Sequence, residues 1–375
     1  MKRRRILVVG GTGPTGPHIV QGLLDRGHDV VILHRGVHEP DDLPDVRHIH
    51  ADPHFAEALE PALRGERFDT ILALYGRLER LATFFAGRCE RFLAVGGRPV
   101  YAGYLDPGSV VPRGMRVLAR EDSPLADPAA ITDVGVAKFA ARMRAAEDSV
   151  MRGHREGAYA ATLFRYPYIY GARALGSVEW SVWKRIHDGR ARINLPAGGL
   201  ILNARCAAQN AAHMLLLALE NEAAHGEIFN CADDEQYSLA QWVELIALQL
   251  GKTLAIVDVP AALRWTVTNF LFFAGSATDI AIADTAKAKR LLGYADVIAP
   301  RAALAEALRW YGVHPVEWEA DPAYPDKFDY ELEDRVADAL QELRDRFAPE
   351  DPKLKAAHNY AHPKKPSLSG DEKGR

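Results

Sequence analysis

The sequence is poor in cysteine, with only Cys89, Cys206 and Cys231 among its 375 residues. These three lie far apart along the chain and lack the spacing of metal-binding or redox motifs. We therefore expect reduced, mostly buried thiols, as in a cytoplasmic protein. The 14 histidines form no HExxH or similar motif, so the sequence predicts no metal site.

The chain also lacks a long apolar run and a strong net charge. No segment approaches the ~18 apolar residues that a membrane span needs. The basic start, residues 1–5, is followed by only four apolar residues before glycine, so we do not expect a signal peptide. The net charge of −4 gives no support for a nucleic-acid partner. A small-molecule ligand is the expected partner.

A glycine-rich turn follows the first apolar run at residues 6–16, ILVVGGTGPTG. The apolar residues predict a buried parallel strand, and Ile19, Val20 and Leu23 recur beyond the turn at helical spacing. A strand, a glycine turn and a helix in this order are typical of dinucleotide binding, because glycines let the backbone approach a pyrophosphate at the helix N-terminus. The alternative is a turn that only packs the helix on the strand. The predicted binding residues are Gly10, Gly13, Thr15 and Gly16.

The end of the second predicted strand indicates which dinucleotide is preferred. A site that prefers NAD usually has a carboxylate about 20 residues after the glycines, where it holds the ribose 2′-hydroxyl. This chain has His34 and then Arg35. An arginine can pair with a 2′-phosphate through two donors, so we predict NADP(H) in preference to NAD(H). The alternative is that Arg35 is a solvated loop residue.

Strand and helix patterns alternate through the first half of the chain, which predicts an α/β fold with a Rossmann-type doubly wound parallel sheet. We assign residues 1–170 to an NADP-binding domain whose sheet is completed by later segments at about 204–235. Residues 171–313 are predicted to form mainly a smaller, C-terminal substrate lobe. A C-terminal extension with a charged helix at 330–347 spans 314–350, and residues 351–375 are predicted to be a disordered tail.

The predicted substrate lobe is rich in aromatic residues. Trp180, Trp183 and the stretch Leu263–Gly275 favour a small to medium, partly apolar substrate, although a core helix at 263–275 is an equal alternative. A basic group in the same lobe is predicted to be a solvated helix face rather than a diphosphate site. Its members are Lys184, Arg185, Arg190 and Arg192.

Several separate segments resemble those of one enzyme family. They are 10–16 (GGTGPTG), 51–52 (AD), 74–76 (LYG), 165–171 (RYPYIYG), 226–231 (GEIFNC) and 284–294 (DTAKAKRLLGY). Together they resemble the extended short-chain dehydrogenase/reductase family, in its NAD(P)-dependent epimerase/dehydratase branch, over roughly residues 5–313. The resemblance implies that Asp52, Leu74, Tyr75 and Pro167 also line the cofactor site. It further implies a possible homodimer through helices at 78–88 and 136–152.

The resemblance fails at the catalytic residues. The family uses a Tyr-x-x-x-Lys pair and a serine or threonine, in which the lysine lowers the tyrosine pKa and the tyrosine moves the proton. Here the serine position is Gly97, and the tyrosine and lysine positions are Phe139 and Met143 when the helix is aligned on residues 145–147. Alignment on Lys138 as the lysine instead places Val134 at the tyrosine position. No tyrosine occurs between residues 105 and 158 in any register.

Two kinds of function remain open. The first is an NADP-dependent oxidoreductase or epimerase/dehydratase-like enzyme with a relocated proton donor, for which the chosen candidates are Tyr101, Tyr168 and Lys138. Tyr104 and Tyr166 are further possibilities, and each tyrosine could equally have a structural role. The alternative is a non-catalytic NADP-binding regulator or scaffold, or a non-redox lyase or isomerase on the same fold.

Overall fold

The computed structural model describes residues 3–36, 43–74, 76–174, 178–267, 280–314, 316 and 326–348. Its strands are β1 Arg5–Val9, β2 Asp29–His34, β3 Arg47–His50, β4 Thr70–Ala73, β5 Arg91–Gly97, β6 Ala160–Tyr166, β7 Tyr168–Tyr170, β8 Arg192–Pro196, β9 Leu202–Asn203, β10 Arg205–Ala207, β11 Glu227–Asn230, β12 Ala255–Val259 and β13 Ile280–Ala281. The helices are α1 Gly16–Asp25, α2 Ala56–Ala62, α3 Leu78–Phe84, α4 Val134–Arg155, α5 Val178–His187, α6 Ala208–Leu219, α7 Leu239–Gln249, α8 Ala286–Leu292, α9 Pro300–Val313 and α10 Tyr330–Phe347.

The main sheet has seven strands in the order β11-β6-β5-β4-β1-β2-β3, and every neighbouring pair in it is parallel. The chain starts in the middle at β1, winds outward through β2 and β3, and then returns to β4 on the other side. In such a sheet a crevice opens beyond the carboxyl ends of the strands where the winding reverses, here between β1 and β4. The predicted doubly wound fold is confirmed.

Helices cover both faces of this sheet because its central strands are apolar on both sides. Alternate residues of β1 point in opposite directions. Ile6 and Val8 pack in one core with α1, α6 and α8, while Leu7 and Val9 pack in a second core with α2, α3 and α4. This three-layer arrangement leaves the carboxyl edge of the sheet to its connecting loops, which position the site.

A second lobe is built around helices α5, α7 and α9. Its core includes Tyr170, Trp242 and residues of β8, and a parallel pair of strands, β8 and β12, adjoins it. Ser238 caps α7 as a complete capping box with Gln241. The later segments predicted to complete the main sheet do so only in part. Strand β11 joins that sheet, whereas β10 pairs with β7 in a separate two-stranded sheet.

The C-terminal helix α10 is fastened to the second lobe by ion pairs. Arg185 is buried and bonds to the carboxylates of Asp326 and Glu333. Although burial alone would lower the pKa of Arg185, these two carboxylates raise it. The prediction that this basic group is a solvated helix face was therefore wrong for Arg185. The sequence could not show that acidic partners more than 140 residues away return to it.

The neighbouring cationic side chains form further ion pairs, most of them with α10. Arg190 and Arg192 both bond to Asp334 of α10, at 2.9 and 2.8 Å, and Arg192 also reaches Asp338 at 2.8 Å. Lys184 bonds to Asp188 one turn along α5. The basic group is thus engaged by this chain's own carboxylates, which leaves it unsuited to a substrate diphosphate.

Three further observations bear on the expectations from sequence. Among the described residues, no helix is long and apolar enough to cross a membrane. The aromatic stretch 263–275 lies within the described residues only up to Val267, and the predicted tail at 351–375 lies outside them. Helices α3 and α4, expected at a dimer interface, pack against each other, and their role in a homodimer stays a prediction.

The pairing of Asp334 predicts a specific response to acid. Hydrogen bonds from Arg190 and then Arg192 lower its pKa from 3.8 to about 2. Since the folded pKa lies below the unfolded value, the stabilisation is present above about pH 4 and is lost as the pH falls towards 2. We expect Asp334→Asn to lower the Tm by about 1–3 °C at pH 7, with the difference from wild type shrinking below pH 4.

Thermal melts from pH 7 to pH 2.5 measure this effect. Asp345→Asn is the matched control, because Asp345 lies on the same helix and accepts a hydrogen bond from Gln341. A pH-independent difference between Asp334→Asn and wild type would contradict the ion-pair assignment.

Candidate functional site

The glycine turn lies at the carboxyl end of β1, beside the crevice. Gly10 and Gly11 have positive φ angles of 102° and 85°, which side chains other than glycine rarely adopt. The Gly10 N–H donates to the carbonyl of Leu33 at 2.9 Å and so anchors the turn to β2. Helix α1 then begins at Gly16 with Thr15 as its N-cap. Its N-terminus, which is the positive end of the helix dipole, follows the turn directly.

Two glycines of this turn have different physical roles. A Cβ atom at Gly16 would lie 1.9 Å from the carbonyl oxygen of Gly11, so only glycine allows the helix to pack against the turn. A Cβ atom at Gly13 would meet nothing within 4 Å. Glycine is therefore not needed at position 13 for the fold. The open space beside Gly13 fits a pyrophosphate group that approaches the backbone.

Most of the other predicted cofactor residues follow the carboxyl ends of β2, β3 and β4. Arg35 is exposed just beyond β2, close enough to Asp52 to contribute to lowering its pKa. Asp52 follows β3 and accepts hydrogen bonds from the backbone and ring N–H groups of His54 at 2.9 and 2.8 Å. The Leu74 N–H donates to Val9 at the end of β4. These groups lie at one edge of the sheet, whereas Tyr75 lies outside the described residues.

Gly97 and Met143, which the alignment on residues 145–147 places at catalytic positions of the family, lie close together. A Cβ atom at Gly97 would lie 3.4 Å from the Cε atom of Met143, so the end of β5 faces this turn of α4. Phe139 precedes Met143 by one helical turn and is 39% exposed. In this register Gly97, Phe139 and Met143 supply no side-chain group that titrates.

A buried polar network holds this part of the site together. Arg165 of β6 donates to both carboxylate oxygens of Glu147 on α4, with 2.8 Å for the shortest contact. Its guanidinium carbon lies 4.6 Å from the centre of the Tyr101 ring. The Tyr101 hydroxyl donates to Asn230 at the end of β11 at 2.6 Å, and the Asn230 N–H donates to Glu121. Strands β6 and β11 are thereby tied to α4.

The predicted proton donors are placed in structural roles or on the surface. The hydroxyl of Tyr168 donates to Glu179 and accepts from the Val178 N–H, both at 3.1 Å. Burial raises the pKa of Tyr101 and raises that of Tyr168 well above 10, opposite to the shift that a proton-transferring phenol needs. Lys138 is exposed on α4. The geometry does not favour Tyr101 or Tyr168 as proton donors.

The remaining candidates also have structural environments. The Tyr166 hydroxyl donates to the carbonyl of Ala211 at 3.1 Å, and Tyr104 packs in a small buried cluster. Pro167 separates β6 from β7. Its predicted contact with a cofactor stays a prediction, as does catalysis by Lys138.

Two clusters were missed by the sequence analysis. The Sγ atoms of Cys206 and Cys231 lie 3.5 Å apart in the core, although the residues are far apart in sequence. His34, His48 and His50 also meet, with candidate ligand atoms within 4.8 Å of one another. Sequence motifs for metal sites, such as HExxH, are local. They do not detect residues that meet only when two strands pair, so no metal-binding group was expected. The strand register was the signal that could have revealed the histidine cluster.

Comparisons with known proteins agree with this geometry. Residues 6–83 match the model of the NAD dependent epimerase/dehydratase family. This match covers β1 to α3 and includes the glycine turn, so the resemblance to the extended short-chain dehydrogenase/reductase family is confirmed. No curated protein sequence matches the chain significantly.

Solved structures of low sequence identity share the fold over most of the chain. The UDP-glucose 4-epimerase of Thermotoga maritima, solved with UDP-glucose, is 17% identical with a TM-score of 0.63, covering 83% of this chain and 99% of that one. The dTDP-glucose 4,6-dehydratase of Bacillus anthracis, in complex with NAD, is 16% identical with a TM-score of 0.62, covering 84% and 99%. An epimerase of Methanothermobacter thermautotrophicus is 15% identical with a TM-score of 0.65, covering 85% and 94%.

The open space at Gly13 leads to a prediction about dinucleotide binding. We expect Gly13→Ala to fold normally, because the added methyl group meets no protein atom within 4 Å. It should weaken binding of NADPH and NADH about tenfold or more, since the methyl group occupies the space left for the pyrophosphate. Fluorescence titration measures the affinities, and thermal melts check the fold.

Gly312→Ala is the matched control. Gly312 lies on α9, and a Cβ atom there also meets nothing within 4 Å. This variant should bind dinucleotides like the wild type. If Gly13→Ala and Gly312→Ala bound equally well, the glycine turn would be excluded as the pyrophosphate site.

Proposed function

We propose that this protein binds a nicotinamide dinucleotide at the carboxyl edge of its main sheet and acts as an epimerase/dehydratase-like oxidoreductase. The observation that carries the proposal is the glycine turn, where Gly16 is required by packing and Gly13 is not. A fold alone does not determine function. A glycine turn that leads into a helix N-terminus does, however, suit a phosphate group, because the free N–H groups of the first helical turn point towards it.

The residues present fit such a cofactor. Gly10, Gly13 and the N-terminus of α1 at Thr15–Gly16 would hold the pyrophosphate. Asp52 and Leu74 would flank it at the neighbouring strand ends. The cofactor would supply hydride acceptance or donation, and the protein would orient the substrate against it and limit access of water.

NADP(H) is the preferred form in this proposal, and Arg35 is the reason. Its guanidinium lies beyond β2, where a 2′-phosphate would need a cation, and no carboxylate occurs at positions 33–36. Asp52 is close enough to interact electrostatically with Arg35, and a 2′-phosphate would be a second anion for the same guanidinium, which offers donors for a bidentate contact.

In this proposal, the catalytic part of the site differs from that of the family that the sequence resembles. Gly97, Phe139 and Met143 provide an apolar wall, so any proton must be delivered from elsewhere. Lys138 is the one chosen candidate that is exposed and basic. A partly apolar substrate of small to medium size is consistent with this wall. Trp180 does not contribute to the argument, because it is buried with Tyr311 and Phe328 in a core cluster.

The same wall supports a second candidate, a non-catalytic dinucleotide-binding protein. Phe139 and Met143 cannot move protons, and the two buried tyrosines have raised pKa values. Under this alternative, binding would persist without consumption of the cofactor. A homodimer through α3 and α4 is compatible with the enzyme and with the non-catalytic binder, and neither proposed function requires it.

Replacing Arg35 tests the cofactor preference. We expect Arg35→Asp to weaken NADPH binding by about 10- to 100-fold, because a charge-assisted pair with the 2′-phosphate is exchanged for repulsion. NADH binding should change by much less. The measurement is a fluorescence titration with each dinucleotide.

Arg64→Asp introduces the same charge change at an exposed position between α2 and β4, at the opposite edge of the sheet, and serves as control. An equal loss for NADPH and NADH in Arg35→Asp would rule out the 2′-phosphate assignment.

Cofactor consumption separates the enzyme from the non-catalytic binder. Wild-type protein with NADPH is mixed with a panel of apolar aldehydes and ketones, and the loss of NADPH absorbance is followed. We expect consumption above the protein-free rate with at least one carbonyl compound. Binding of NADPH without consumption across the panel would favour the non-catalytic alternative.

The double variant Phe139→Tyr/Met143→Lys sharpens this test. If α4 faces the reacting atoms, a phenol and an ammonium one turn apart should raise generic carbonyl reduction about tenfold or more. The single variant Phe139→Tyr is the control, because it adds the phenol without the cation that lowers its pKa. No difference between these variants would place α4 away from the reacting atoms.

A further inference from the structure

The histidine cluster follows directly from the strand register. His48 and His50 are two residues apart on β3, so their side chains point to the same face of the sheet. His50 pairs with His34 on the neighbouring parallel strand β2, which places the third imidazole on that face as well. Strand β3 is an edge strand of the main sheet. Three imidazoles therefore gather at a sheet edge without any local sequence motif.

The distances within this cluster suit a shared metal ion. His34 Nε2 lies 3.0 Å from His48 Nδ1, and candidate atoms of all three rings lie within 4.8 Å of one another. Two imidazole nitrogens bound tetrahedrally to zinc at 2.0–2.1 Å are roughly 3.4 Å apart. A movement of a few tenths of an ångström would thus open enough room for a metal between His34 and His48.

The three imidazole rings differ in their exposure to solvent. His34 is 5% exposed, His48 is half-buried and His50 is exposed. A metal bound here would be held by a rigid strand on its inner side and would be accessible from solvent on its outer side. Three histidines with one open position are a coordination set that zinc commonly adopts.

The contacts within the cluster bring ring nitrogens face to face. The Gly36 N–H donates to His34 Nδ1 at 3.1 Å, and His34 Nε2 faces His48 Nδ1. Imidazole nitrogens are the commonest protein ligands of transition-metal ions, so the chemistry of this set of groups points to a metal cation.

We propose that His34, His48 and His50 form a binding site for one divalent transition-metal ion, with Zn²⁺ as the ion best suited to it.

Metal titration of the full-length chain tests this site directly. Protein without an affinity tag is treated with a chelator, dialysed and titrated with Co²⁺ and Zn²⁺. We expect one ion per chain by calorimetry. Bound Co²⁺ should also show the intensified visible absorption of a four-coordinate ion, because coordination geometry is diagnostic for this metal, and Zn²⁺ should displace it. No dinucleotide is present, so the result is independent of the proposed function.

Variants assign the binding to the cluster. His50→Gln changes an exposed side chain, so the fold should be retained, and the affinity for Zn²⁺ should fall. His48→Gln/His50→Gln should lower the affinity at least about 100-fold, since loss of ligands costs more than loss of their supporting contacts. His314→Gln is the control, because His314 is exposed and lies at the end of α9. It should bind like the wild type.

Two results would overturn the proposal. The first is the absence of saturable binding of Zn²⁺ or Co²⁺ to the wild-type chain. The second is equal affinity in wild type, His50→Gln and the double variant, which would locate any bound ion elsewhere. Thermal melts of each variant distinguish loss of ligands from loss of fold.

Discussion

The buried ion pair between Arg165 and Glu147 is the interaction on which the candidate active site depends. A buried pair is stabilising only when its geometry is good and its remaining polar groups are satisfied. Here Arg165 donates to both oxygens of Glu147 and to the carbonyl of Glu121, and the Tyr101 ring covers it. Removal of either partner would leave a charge in the core. The pair therefore constrains how α4 lies across the ends of β5 and β6.

This constraint explains the position of Phe139 and Met143, which the resemblance aligns with the family's catalytic pair. Glu147 follows Met143 by one helical turn, and Met143 follows Phe139 by another, so the three side chains share one face of α4. With Glu147 fixed to Arg165, the same face carries Met143 to Gly97. The network thus fixes the position of α4 even though two of its turns present apolar side chains.

Local patterns predicted most elements because burial and periodicity act within a few residues. The bounds of α10 agree with the charged helix expected at 330–347, and β1 and α1 flank the glycine turn as the apolar pattern indicates. Contacts between distant segments could not be predicted in this way. The partners of Arg185, the Cys206–Cys231 contact and the histidine cluster all require the topology, since each joins residues on different elements. Sequence reasoning without strand pairing treats such residues as isolated.

The candidate site has two parts of different character. The glycine turn is held in place by packing, and the facing residues Gly97, Phe139 and Met143 carry no polar side chain. Gly16 cannot carry a side chain, so the glycine turn would persist for structural reasons even if no cofactor were bound. Gly13 has no such requirement, so a substitution there can test ligand binding without disturbing the fold. By contrast, Phe139 and Met143 are apolar where a proton-transfer pair would have to be polar. The residues proposed for dinucleotide binding are therefore separate from those that would decide catalysis by α4, so one property can be present without the other.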